Sequence, residues 1–218
     1  ARDIMLSTLS ILGLIVVWFL VSNSKPDFFP TPMATIERFI KLIEKPVMKI
    51  SILGHIFASL KRVMLALIAA IILGVGIGLV MGWNKKVRAA INPILMALRP
   101  IPPIAWIPLI ILLFGIGEFP KVLLVFIGAF FPIVMNTMSG VSLVDDMYLK
   151  VGKIYKANTG QMLRHVVFPA AMPAILAGIK IAISSGWMVV VAAEMLSSKS
   201  GLGFLINRGR DSYDVALI

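Results

Sequence analysis

The fold class predicted for this sequence is all-α, a polytopic bundle of transmembrane helices, and three observations predict it. Of 218 residues, 59% are hydrophobic and 14% charged, against about 45–50% and about 25% in soluble domains. The mean hydropathy is +0.98. Long apolar stretches recur along the whole chain. A bilayer crossing takes about 20 apolar residues, so five or six crossings leave no room for a sizeable soluble domain. The net charge of +11, from 21 Lys+Arg against 10 Asp+Glu, fits basic residues that flank spans and meet anionic headgroups. No nucleic-acid-binding motif accompanies it, so the lipid membrane and not nucleic acid is the expected partner. Cysteine is absent, which excludes disulfides, thiol catalysis and cysteine metal sites.

The elements follow in order. Residues 1–22 form the first transmembrane helix, with no charge after Asp3 in the run Ile4 to Val21. No A-x-A-like site follows it, so it reads as a retained helix and not a cleaved signal. Residues 23–55 are an expected external connector. It holds Pro26, Pro30, Pro32 and Pro46 and charges at Lys25, Asp27, Glu37, Arg38, Lys41, Glu44, Lys45 and Lys49. Within it Met33, Ile36, Phe39, Ile40 and Ile43 recur at helical spacing. That is a short amphipathic helix, lying either at the membrane surface or against the protein's own outer face.

Residues 56–218 form the expected core, with spans near 56–83, 100–117, 122–143 and 168–196. In the first of these, Lys61 and Arg62 lie near the start, and Ala66, Ala70, Gly74, Gly78 and Gly82 fall four residues apart on one face. Helices in lipid associate by close backbone approach, so this stripe predicts a packing face. Asn84 to Arg99 reads as a polar connector. Pro100, Pro102, Pro103 and Pro108 break the ladder of the span at 100–117. A broken helix is tolerated in a bilayer where it is buried in protein or lines a cavity, so this segment is expected to border a path or a moving gate. The polar stretch 144–167 carries Asp145, Asp146, Lys150, Lys153, Lys156 and Arg164, and the last span opens with Pro169 and Pro173. Charge alone gives only a slight orientation preference, since 84–99 and 144–172 hold four Lys/Arg each.

The run Val166-Val167-Phe168-Pro169, followed by Pro173, Ile175 and Gly178, resembles the second half of the "EAA" loop of binding-protein-dependent ABC permeases, V-x-L-P-x-x-x-P-x-I-x-x-G. Only the Leu differs, as Phe168. Further stretches resemble the nitrate, sulfonate, taurine and bicarbonate branch in the same order: Ser59 to Val63, Gly74 to Gly82, Arg99 to Pro108, Phe114 to Glu118, Gly128 to Pro132, Val190 to Met195, and Gly201 to Gly203. The resemblance implies a type I ABC importer permease of MetI-like fold, in the inner membrane. Its cytoplasmic loop 144–167 would form coupling helices that dock on an ATPase and switch the permease between inward and outward access. It implies ATPase-coupling roles for Lys150, Val151, Gly152, Lys153, Lys156, Ala157, Asn158, Pro169, Pro173 and Gly178. The namesake E-A-A falls at Lys150, Val151 and Gly152, and the pattern's glycine at Lys156, so the loop departs from the family there. Lys150, Lys153 and Lys156, at i, i+3 and i+6, suggest one basic face, toward the partner or toward headgroups. The resemblance also implies six spans where five are read, so the chain is expected to be truncated.

No G-x-x-x-x-G-K-[ST] loop is present. ATP-Mg is therefore expected on separate ATPase subunits, with no cofactor, catalytic residue or metal on this chain. The other implied partners are a second permease copy in a homodimer and an external solute-binding protein. The implied substrate is a small oxyanion such as nitrate, a sulfonate, taurine or bicarbonate, although relatives with similar segments also carry heteroaromatic vitamin precursors. Polar residues within the spans are the pathway candidates: Asn136, Thr137, Ser139, Ser184, Ser185, Trp187 and Glu194. Glu194 is the costliest in a bilayer; Arg208 and Arg210 are candidate partners, and bracing of the outer loop is its alternative role. A secondary transporter or channel independent of ATP is the rival reading, but such folds show internal repeats and none is found. An intramembrane enzyme is weaker still. His55 and His165 stand 110 residues apart, and H-E-x-x-H and G-x-S-x-G are both missing.

Overall fold

The computed structural model describes residues 2–24 and 28–218. Lys25, Pro26 and Asp27 of the connector lie outside the described residues. Among those described, the regular elements are helices, with one isolated bridge between Val47 and Ile50. Two compact units divide the chain, residues 1–58 with 198–218, and residues 59–197.

In the first unit, α1 (Arg2–Ser24) is 23 residues long, about 34 Å at 1.5 Å per residue, enough for a hydrocarbon core of about 30 Å. From Met5 onward its Leu, Ile, Val and Phe side chains are exposed on all sides, as lipid contact requires. Trp18 Nε1 donates to the Pro30 carbonyl at 3.0 Å. Next, α2 (Pro32–Glu44) starts where the Thr31 hydroxyl accepts from Ala34 N–H and Pro32 takes the first helical position. Met33, Ile36, Phe39, Ile40 and Ile43 stay exposed on it, so the described residues of this unit leave the apolar stripe uncovered. The first turns of α3 (Ile52–Trp83) and all of α10 (Leu202–Asp211) complete the unit. The ring of buried His55 stacks on Phe204, and its Nδ1 accepts from Gly201 N–H at 3.1 Å. Arg38 pairs with Asp214 at 2.6 Å.

The second unit is built on α3, α6 (Glu118–Ser142) and α9 (Phe168–Ser197). The small-residue stripe of α3 faces α6. A Cβ on Gly74 would lie 2.9 Å from Ile133 Cγ2, and one on Gly78 would lie 2.6 Å from Thr137 Cβ and 2.9 Å from the Val134 carbonyl. Gly78→Val is therefore expected to cost about 1–3 kcal/mol by overpacking. Gly76, with nothing near its missing Cβ, is the control: Gly76→Ala should leave the thermal midpoint in detergent unchanged or raised. Between α6 and α9 the same logic holds at Gly178, where a Cβ would lie 3.1 Å from the Pro132 carbonyl.

Three elements differ from the sequence expectation. The connector 84–99 is a helix, α4 (Lys85–Leu98), because Asn84 accepts from Lys86 and Val87 N–H and Val87, Ile91 and Leu95, four residues apart, pack with Met81, Val134 and Met138. Arg88 of α4 donates to the Met81 and Gly82 carbonyls at the end of α3, where a cation suits the helix dipole. The expected span 100–117 is not one helix. A 3-10 turn at Pro103–Trp106 leads into α5 (Ile107–Phe114) of eight residues, about 12 Å long and too short to cross alone. Proline at 100, 102 and 103 is the cause, and the pair formed by α4 and the Pro103–Phe114 segment is bent by 86°. Lastly, the fifth span begins within the polar stretch: α8 (Thr159–Met162) and a π-turn at Leu163–Val167 run directly into α9. Among the described residues, four helices are long and apolar enough to cross a membrane, or five if the bent pair counts as one.

Candidate functional site

Polar residues after α6 build a compact connection. Asp145 accepts from Met147 N–H and starts α7 (Asp146–Ile154). Its end is a Schellman motif: Ala157 N–H reaches the Gly152 carbonyl and Lys156 N–H the Lys153 carbonyl. This closure puts Lys156 at φ +51°, in the left-handed region, at the position where the resembled pattern has glycine. A lysine there costs about 1–2 kcal/mol relative to right-handed backbone. Lys156→Gly is accordingly expected to raise the thermal midpoint, and Lys156→Val to lower it. Because α7 ends at Ile154, the row of Lys150 and Lys153 does not continue to Lys156; the expected three-lysine face is corrected to two exposed lysines on the helix.

Asn158 opens α8 with a capping box, its Oδ1 accepting from Gln161 N–H at 2.8 Å while Gln161 Oε1 accepts from Asn158 N–H at 2.9 Å. Pro169 has no N–H for the His165 carbonyl, and the preceding turn widens to π geometry, with Phe168 N–H reaching the Leu163 carbonyl. Gly152 is buried against the end of the Met162 side chain. Val151, Gly152, Ala157 and Pro169 thus meet around a cleft of about 780 Å³ that Tyr148 and His165 also line. Pro173 and Gly178 do not join them; they lie further along α9, Gly178 in its contact with α6. Met147, Tyr148, Val151 and Ile154 of α7, with Tyr155 just beyond, are all exposed, and Tyr148, Val151 and Tyr155 among them border the cleft.

At one end of the second unit, α3, α6 and α9 share a charge network. Glu194 is fully buried and accepts from Arg62 Nη1 at 2.6 Å and from Ser59 Oγ at 2.8 Å. Ser59 and Arg62, three residues apart, present one helix face to it. The same guanidinium holds Glu118 through Nε at 2.6 Å and Nη2 at 2.9 Å, and Lys121 Nζ joins Glu118 at 2.8 Å. The expectation that Arg208 or Arg210 supplies the cation beside Glu194 is corrected: Arg62 does. Two cations and two carboxylates balance, and their ion pairs tie three helices together.

A second cavity, about 270 Å³, is lined by Arg99, Pro103, Gly128, Pro132, Asn136 and Ser185 among others. Asn136 Nδ2 donates to the Pro132 carbonyl at 2.8 Å, and Ser185 Oγ to the Gly128 carbonyl at 3.1 Å. Of the pathway candidates, only Asn136 and Ser185 come together here. Thr137 is buried against α3 with its hydroxyl unpartnered. Ser139, Ser184 and Trp187 are exposed and outside the cavity, and Glu194 belongs to the charge network. Sequence reasoning missed Arg99 as a cavity residue, although its place directly before a proline-broken apolar stretch is the available signal.

The model of the family described as "Binding-protein-dependent transport system inner membrane component" matches residues 70–218. The taurine transport system permease protein of Escherichia coli is 35% identical over 210 residues, covering 94% of this chain and 76% of that protein. The nitrate import permease protein of a Synechocystis species is 36% identical over 210 residues, covering 94% and 75%. The bicarbonate transport system permease protein of Synechococcus elongatus is 32% identical over 211 residues, covering 93% and 76%.

Proposed function

This chain belongs to the family of binding-protein-dependent transport system inner membrane components, and from that premise we propose how it works and what it carries. It is a multi-pass inner-membrane protein, the permease of an ATP-driven importer, and not itself an enzyme. In our reading, ATP-Mg is held and hydrolysed by two separate ATPase subunits, and a second copy of this chain completes the pathway as a homodimer. An external solute-binding protein delivers the substrate. The loop 144–167 is the cytoplasmic coupling segment, with α7 as the element that docks on the ATPase.

One observation carries the docking assignment. A nine-residue helix, α7, leaves Met147, Tyr148, Val151 and Ile154 exposed, Ile154 at 77%. Beside the polar Asp145, Asp146, Lys150 and Lys153, this is an apolar row that the described residues of its own unit leave uncovered, as a partner surface requires. For the substrate, the relatives named for taurine, nitrate and bicarbonate share a compact oxyanion group, and a small oxyanion is the substrate class proposed here.

Co-purification with a candidate ATP-binding-cassette ATPase from the same genome tests the reading. The intact chain is expected to retain the ATPase. Deletion of residues 145–165 is expected to abolish that association while the chain still accumulates in the membrane. Undiminished co-purification after the deletion would contradict the docking assignment.

A further inference from the structure

We propose that Arg99 reads the anion in transit: at the bend between α4 and α5, its guanidinium contacts the oxyanion midway across the membrane. The inference rests on the functional reading above and names the residue that meets the substrate class. Depth is the first support. The walls that α6 and α9 give the 270 Å³ cavity come from halfway along each helix, at Gly128 and Pro132 of α6 and Ser185 of α9. Arg99 lines the same cavity, so the residue sits beside the midpoints of two helices long and apolar enough to cross a membrane. Charges at that depth are costly and are kept where they face water or a binding partner.

The backbone gives the second support. The helix pair carrying Arg99 is broken at residues 99–102 and bent by 86°. Such a break is tolerated in a bilayer only when it is buried in protein or lines an aqueous cavity, and Arg99 and Pro100 are exposed. The third support is chemical. The Arg99 guanidinium has no ion pair among the described residues, whereas Asn136 and Ser185 each donate to a backbone carbonyl. Arg99 is the charged donor left to meet an incoming anion. A planar guanidinium presents paired N–H groups to two oxygens of nitrate, a carboxylate or a sulfonate. One such group, with few further donors, also holds a passing ion weakly enough to release it.

Arg99 directly follows the last residue of α4, where a cation also suits the helix C-terminus, so the test separates the two roles. The full complex of permease, ATPase and binding protein is reconstituted in lipid, with nitrate, bicarbonate and taurine offered as probes. For whichever probe the wild type takes up, Arg99→Gln is expected to lower ATP-dependent uptake at least tenfold with the ATPase still associated. Arg99→Lys, which keeps the charge, is expected to retain at least a third of wild-type uptake. These 218 residues hold no cysteine, so Arg99→Cys introduces a single thiol into them. That thiol is expected to react with a membrane-impermeant anionic thiosulfonate, and more slowly when the transported probe is present. Uptake by Arg99→Gln within twofold of wild type overturns the inference alone, and so does an unreactive Arg99→Cys thiol in the assembled complex. No ATP-dependent uptake of any probe by the wild type overturns the functional reading and this inference with it.

Discussion

Arg62→Met is expected to destabilise the chain by about 3–5 kcal/mol, the cost of leaving a buried charge without its partner. Glu194 is fully buried, and Arg62 Nη1 and Ser59 Oγ hold its carboxylate. Without the guanidinium, the hydroxyl of Ser59 cannot compensate a charge inside a bundle. Glu118 would keep Lys121 and largely faces solvent, so the penalty falls on Glu194. The paired change Arg62→Met with Glu194→Leu should recover most of the loss, because an apolar pair of similar size removes both desolvation costs. A double-mutant cycle on thermal midpoints and membrane accumulation reads this directly. Equal midpoints for Arg62→Met and wild type would show that the network does not brace the helices. Glu194→Gln keeps hydrogen bonds to both neighbours and is expected to cost less than Arg62→Met.

Val151→Asp together with Ile154→Asp is expected to weaken ATPase association by at least 100-fold, about 2.7 kcal/mol. Both side chains are exposed on α7, so their replacement leaves folding intact while placing two carboxylates in an apolar contact. Central apolar anchors dominate such interfaces, whereas Lys150→Gln, at a solvated position, is expected to change affinity less than tenfold. Quantitative binding of the purified ATPase to the reconstituted chain distinguishes these outcomes. Unchanged affinity in the double variant would move the docking surface away from α7.

The residues that carry periodicity and length were legible. The apolar runs from Ile4 and from Ile56 lie within α1 and α3, and the stripe from Ala66 to Gly82 lies on a packing face. What escaped the sequence was set by contacts distant along the chain. Asn84 turns a charged connector into α4, yet its cap matters only because Leu95 finds Met138 across the bundle. Prolines at 100, 102 and 103 announced a break, but not an 86° bend that brings Arg99 to a cavity with Asn136 and Ser185. Arg62 and Glu194 are 132 residues apart, and nothing local marks them as a pair. Lys156 shows the converse: the family pattern's glycine at this position marks the left-handed backbone that the structure adopts there.

The central claim, that this chain is driven by ATP through α7, is tested most directly by uptake into proteoliposomes. These would contain the chain, its ATPase and the loaded binding protein, and uptake would be measured with and without enclosed ATP. The account predicts accumulation of an oxyanion only with ATP, blocked by vanadate and lost in the Val151→Asp, Ile154→Asp variant. Uptake that proceeds equally without ATP and in that variant would contradict it and favour a secondary transporter.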